Sequence, residues 1–349
     1  METRLQKQQK MTFRYAMNDL TWHLLSLAGV FGLILLARPH GLWLRLLAVG
    51  AYALLQIRSF SILHDCAHNS YTPSKPHNEL IGWGMSVLTH RFFLGYKLRH
   101  LIHHRTNGLR GNKYDFPFNE TVFHTVAQYQ AMSGPRRALY RFWRGPPLNL
   151  GILLFGFVKF AVAEHFSFWR CRRFAAAQKI TLGRLLGTQL CFSVASLSVF
   201  ALFAHLGLLY EYLFNLNVVA WLAFALVHNE HTFNPPYVVT AAPSSAEKEK
   251  EKEKEKETER WTYRDSGLKG SSYIQVPPVF KYILMGLEYH DIHHMNAHIP
   301  GYQLQQYAEK QTEQTEQSVK LTLKDCWHNL WLVLYDEDSR TYMTFAQAE

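Results

Sequence analysis

Four apolar runs constrain this chain most: Trp22 to Ala37, Leu42 to Phe60, Leu185 to Ala204 and Leu206 to Val227. A helix needs about 20 apolar residues to cross the hydrocarbon layer. Backbone surrounded by lipid must also satisfy its own N–H and C=O groups, which for separate runs of this length means α-helix. The runs come in pairs. Arg38 to Gly41, RPHG, is a Pro-Gly turn short enough to force a tight hairpin between the first two. The turn near His205 and Gly207 between the last two holds no Lys or Arg, as expected of an outer loop. The predicted fold is all-α: an integral membrane protein with four transmembrane helices and a helical cap on the cytosolic side. The mean hydropathy of −0.15 does not oppose this, because it averages those runs with long polar stretches.

The runs divide the 349 residues into regions of one membrane domain. These are a first transmembrane hairpin (22–60), an inner-side region (61–180), a second hairpin (185–227), a charged flexible insertion (240–260) and a second inner-side region (261–349). Glu79 to Leu88 is about half the length that crossing requires and is expected at the interface. Leu148 to Ala163, with Lys159 inside it, is read the same way, because an even number of crossings between His104 and His290 keeps the polar regions on one side. The run EKEKEKEKETER sets like charges at i, i+4 and opposite charges at i, i+3, so its pairing terms cancel and a solvated segment is expected. Trp327 to Tyr335 is amphipathic and is expected to pack on the inner domain.

The net charge of +10 comes from Lys and Arg gathered beside the apolar runs, including Arg4, Lys7, Lys10 and Arg14. That pattern marks the cytosolic face of a membrane, either a bacterial inner membrane or the endoplasmic reticulum, and not a nucleic-acid surface. Four scattered cysteines with no CxxC pair exclude a disulfide framework, a thiolate zinc site and an in-chain iron–sulfur cluster, so any electrons come from another protein. The N-terminal METRLQKQQK lacks a small-residue cleavage site before the first run, and no removed signal peptide is expected.

The polar regions carry histidines at helical spacing. His290, His293 and His294 stand at i, i+3 and i+4, as do His100, His103 and His104, while His64 and His68 stand at i and i+4 just past the second run. On a helix these offsets bring the rings toward one face within about a turn. Neutral imidazole is a ligand for borderline metals such as iron and zinc. Eight histidines exceed one tetrahedral zinc, so a dinuclear site is expected. His228, at the inner end of the fourth run, is taken as a ninth ligand, with His231 competing for that place. Asp65 and Asp291 each follow the first histidine of a box. Carboxylates there can hold the other ring N–H of a ligand, although neighbours on a helix do not share a face, so each serves another box or is solvated.

HDCAH, HLIHH followed by RTN, and HDIHH followed by HIPGYQL resemble the three histidine boxes of membrane fatty-acid desaturases. The resemblance runs from about Leu54 to Leu304, and HDCAH is most like the acyl-lipid omega-6 (delta-12) and omega-3 group. LKGSSYIQVPPVF and Trp261 also match the run ahead of the family's last box. The resemblance implies two iron ions held by His64, His68, His100, His103, His104, His290, His293 and His294, with an added histidine after the fourth span. It implies a reaction that uses O2 and two electrons to place a cis double bond in a fatty acyl lipid or acyl-CoA, its position set by an apolar tunnel. A cytochrome b5-like HPGG is absent from the sequence, so ferredoxin or a separate cytochrome b5 is the expected donor. Two departures stand out. HNEHTF is one residue shorter than the family's usual stretch, which leaves His228 and His231 both open, and the EKEK run lengthens a normally short loop.

The rival readings are a related histidine-box oxygenase (carotenoid ketolase or hydroxylase, or alkane hydroxylase) and, from another class, a metal transporter. A transporter would keep its ligands within the spans, whereas these lie past their ends. An intramembrane metalloprotease would need HExxH, and Asp65 stands where that motif has Glu.

Overall fold

The computed structural model describes residues 4–111, 123–145, 154, 156–240, 261–311 and 316–349. Fourteen α-helices of the described residues are named here in chain order: α1 (Arg4–Leu36), α2 (Leu42–His68), α3 (Lys75–Thr89), α4 (Phe93–Thr106), α5 (Val126–Gln130), α6 (Gly134–Arg144), α7 (Ser167–Ala175), α8 (Leu182–His205), α9 (Leu209–His231), α10 (Tyr263–Leu268), α11 (Pro278–Leu284), α12 (His290–Met295), α13 (Gly301–Lys310) and α14 (Leu323–Asn329). Among the described residues, four stretches are long and apolar enough to cross a membrane: Met11–Leu36, Leu42–His68, Leu182–His205 and Leu209–His231. They coincide with the four expected spans. Their outward faces leave Trp22, Leu33, Trp43, Leu190 and Val194 exposed, a band of large apolar side chains that lipid would cover.

The helices outrun the hydrocarbon. At about 1.5 Å per residue, the 27 residues of α2 reach about 40 Å, against a hydrocarbon thickness of about 30 Å. The helix is therefore longer than the layer is thick, and its last two turns carry His64 and His68. The α9 helix ends at His231 on the same side. Arg45 and Glu211, 3.0 Å apart, join the two hairpins at the opposite end. Near the histidine end Arg58 bridges Asp19 of α1 and the carbonyl of Tyr282 of α11, and Tyr71 donates to Asp19 at 2.9 Å. Those bonds fix α1, α2 and α11 relative to one another.

The expected interfacial segment Glu79 to Leu88 lies within α3, a 15-residue helix too short to cross. Of Leu148 to Ala163, the first part falls outside the described residues; Phe157–Val162 forms a π-helical turn and Ala163–Phe166 a 3-10 turn. The charge run at 241–260 also lies outside them. Helix α11 stops at Leu284, where Met285 and Gly286 take φ of +51° and +92°, and box three opens its own helix.

Short strands staple the loops around the helix ends. Strand β1 (Leu109–Arg110), just past box two, pairs in parallel with β2 (Val239–Thr240), which follows α9. Strand β3 (Ser272–Ile274), ahead of box three, pairs in parallel with β4 (Val319–Leu321). The antiparallel pair β5 (Leu334–Asp336) and β6 (Thr341–Met343) carries the C-terminal segment, whose Val333 and Leu334 pack with Tyr129 of α5. The largest apolar cluster joins α1, α2, α9 and α11 through Phe60, Ile62, Leu63, Leu216, Val219 and Ile283.

Candidate metal centre

The box histidines converge although their boxes are far apart in sequence, and they sort into two sets. His64, His68, His100, His104 and His293 form one, and His103, His231, His290 and His294 the other; within each, the possible ligand atoms all lie within 4.8 Å of one another. Each three-histidine box feeds both sets. In box two the i, i+4 pair His100 and His104 enters the five-ring set and His103 the four-ring set; in box three the i, i+4 pair His290 and His294 enters the four-ring set and His293 the five-ring set.

The nitrogens face one another. Nε2 of His104 lies 3.1 Å from Nε2 of His100 and 3.1 Å from that of His293. In the other set, Nε2 of His231 lies 3.0 Å from those of His103 and His290, and the His294 and His290 Nε2 atoms are 3.1 Å apart. Nitrogens bound at about 2.1 Å stand about 3.0 Å apart across a right angle and about 3.4 Å apart in a tetrahedron. The observed spacings of 3.0 to 3.1 Å are short enough for the nitrogens of each set to reach one ion. The Nε2 atoms of His64 and His68 are buried with no hydrogen-bond partner, lone pairs that a cation would satisfy.

Burial first, and the neighbouring imidazoles second, push the pKa of His100, His104, His290, His293 and His294 well below the ordinary value. At neutral pH these rings are uncharged and keep a lone pair for a metal.

Of the two histidines that compete for the ninth place, His231 lies in the second set and His228 does not. His231 directs Nδ1 at the carbonyl of Gly270, 3.0 Å away, which leaves Nε2 facing inward. One turn earlier, His228 points Nε2 at the Asn329 carbonyl at the end of α14, 2.8 Å away, and its nitrogens join neither set.

Asp65 and Asp291 are buried rather than solvated, 2% and 1% exposed. Asp65 places Oδ1 3.4 Å from Nδ1 of its own neighbour His64 and accepts the Gly301 N–H at Oδ2, 2.6 Å away. Asp291 belongs to neither set, and its Oδ1 lacks a hydrogen-bond partner.

Two supporting groups escaped the sequence reading. Glu230 is buried with Oε1 3.5 Å from Nδ1 of His290; its position between two candidate histidines in HNEHTF was the available signal. Glu164 anchors α4. Its carboxylate accepts from the Phe92 N–H and the Ser167 hydroxyl and sits 3.3 Å from Arg99, 3.9 Å from Lys159 and 4.0 Å from Arg170. Burial would raise its pKa, but Arg99, Lys159, Arg91 and Arg170 overcome that and hold it down to about 2. No spacing rule links Glu164 to a box 60 residues earlier in the sequence. Asn107, directly after box two, donates to the carbonyls of Ser266 and Gly270 at 3.0 Å and accepts from the Trp261 indole at 2.8 Å. It thereby sets the Gly270 carbonyl that orients His231.

Two sequence comparisons bear on this arrangement. Residues 37–322 match the family described as Fatty acid desaturase. The chain is also similar to a protein named fatty acid desaturase from Bacillus subtilis (strain 168), 25% identical over 298 residues that cover 82% of this chain and 74% of the relative. The match spans the last three of the four candidate crossings and every histidine of both sets, and on it the chain belongs to the fatty acid desaturase family.

Proposed function

We propose that this chain desaturates a fatty acyl chain at delta-12 (omega-6), leaving a cis double bond, and that its two histidine sets hold two iron ions. His64, His68, His100, His104 and His293 would hold one ion, and His103, His231, His290 and His294 the other. The observation that supports this most strongly is the convergence of two largely buried imidazole sets, their facing nitrogens 3.0 to 3.1 Å apart, at one end of a bundle of candidate membrane spans. Iron bound there supplies the oxidising chemistry, with O2 and two electrons, that unactivated methylenes require.

The protein's own part is positioning and exclusion of water. His231 is turned by the Gly270 carbonyl, so that its ring orientation is set before any ion arrives. Tyr96 stacks on His100 and packs edge-on against Phe60, an apolar wall on the membrane side of the five-ring set. The acyl-lipid assignment rests on the first box, HDCAH. The basic N-terminal helix supports a cytosolic orientation of the boxes and the treatment of 1–349 as one membrane domain. The electron donor would be ferredoxin or cytochrome b5, an acidic protein meeting exposed Arg105 beside half-buried His103.

Expression in yeast followed by analysis of fatty-acid methyl esters tests the reading. New diunsaturated chains are expected, and they should disappear with His293→Ala. Oxygenated products with unchanged acyl chains, or diunsaturated product that persists undiminished in the variant, would overturn it.

A further inference from the structure

Box three is held from both ends by a backbone clasp. Ahead of it, Gly286 lies against Gly301 so closely that a Cβ on Gly286 would stand 2.2 Å from the Gly301 carbonyl oxygen. Beyond it, a Cβ on Gly301 would stand 2.1 Å from the Met285 carbonyl oxygen and 3.2 Å from Asp65 Oδ2. The segment from Met285 to Gly301, which contains all of α12, is therefore a loop closed at its base. Asp65 of α2 reaches that base, accepting the Gly301 N–H at 2.6 Å while its other oxygen faces the His64 ring at 3.4 Å.

We infer that Asp65 is a positioning residue that registers box three against box one, and that the five-histidine set depends on this bond more than on the carboxylate charge. His293 belongs to the five-ring set, with ring centroids 4.3 Å from His64 and 4.7 Å from His68. Its own helix is six residues long, too short to define its position without help. Fixing the base of the loop on α2 fixes where His293 meets His64 and His68. A second tether, the Tyr302 hydroxyl to the Tyr71 carbonyl at 2.9 Å, keeps α13 near α2 when Asp65 is replaced, so loss of the Asp65 bond shifts register without detaching the element.

The inference rests on the iron reading above, and its test separates the two. The wild-type chain, Asp65→Asn and Asp65→Leu are purified in detergent, checked for a single symmetric size-exclusion peak, and titrated with ferrous iron under anaerobic conditions, reading bound iron per chain. Asn keeps a carbonyl oxygen for the Gly301 N–H and should bind iron close to wild type. Leu keeps the volume but has no acceptor, and should weaken one of the two ions by about 10- to 100-fold, the usual loss when a group behind a ligand is removed. Should Leu not accumulate as folded protein, Asp65→Glu carries the same test, because it keeps the charge but displaces the oxygens from the Gly301 N–H and should behave as Leu. Unchanged iron binding in Leu or Glu, or equal losses in Asn and Leu, would overturn the inference. A wild-type chain that binds no iron would overturn the proposed function instead.

Discussion

An imidazole commits to a metal when one nitrogen is given a partner elsewhere and the other is left facing inward. His231 meets both conditions: Nδ1 faces the Gly270 carbonyl and Nε2 faces His103 and His290. His228 spends its Nε2 on Asn329. Replacing His231 with Ala is therefore expected to remove iron from the four-ring set and with it the desaturated product. His228→Ala should keep its iron and lose about 1 kcal/mol of stability, from the half-buried Asn329 carbonyl left without its donor. Iron analysis and thermal melting of the two variants check this, and iron loss in His228→Ala alone would reverse the assignment. The eight box histidines could be read from spacing because i, i+3 and i+4 are local. The choice between His228 and His231 could not, since Gly270 and Asn329, which decide it, lie 39 and 101 residues away.

At the scale of elements, the box helices are short and borrow their positions from longer ones. Helix α4 carries three box histidines in 14 residues, and Glu164 fixes it by capping its start at Phe92 and by pairing with Arg99, next to His100. Breaking a buried pair by removing one partner leaves an uncompensated charge. Glu164→Gln is accordingly expected to lower stability by about 3 kcal/mol at neutral pH, measured by thermal or denaturant unfolding in detergent. The acid dependence has a defined sign. Because the folded-state pKa of about 2 lies below the ordinary 4.5, the stabilisation is complete above pH 4.5 and is lost as pH falls from there toward 2. The variant should lack that part of the acid loss, and equal stability of variant and wild type at pH 7 would contradict the anchoring role. The helix break at Met285 and Gly286 was likewise hidden in the sequence. The apolar run before box three has the period of one helix, and the close approach of Gly301 that divides it comes from the fold.

For the whole molecule, four crossings and three boxes were legible because both depend on local composition: span length follows from hydrocarbon thickness and ligand spacing from helix pitch. A site shared by boxes two and three requires an even number of crossings between them; two candidate spans lie there, and the rings of the two boxes come together. How the rings divide between the sets was not legible, because each three-histidine box sends its i+3 residue to the opposite set, a consequence of how α4 and α12 are placed against each other. The division of labour among nine imidazoles is the central claim, and locating iron tests it most directly. Crystals or oriented samples of the wild-type chain, loaded with ferrous iron and measured at the iron absorption edge, should show two anomalous peaks per chain. One should lie among His64, His68, His100, His104 and His293, and the other among His103, His231, His290 and His294. A single shared peak, or a peak beside His228, would contradict it.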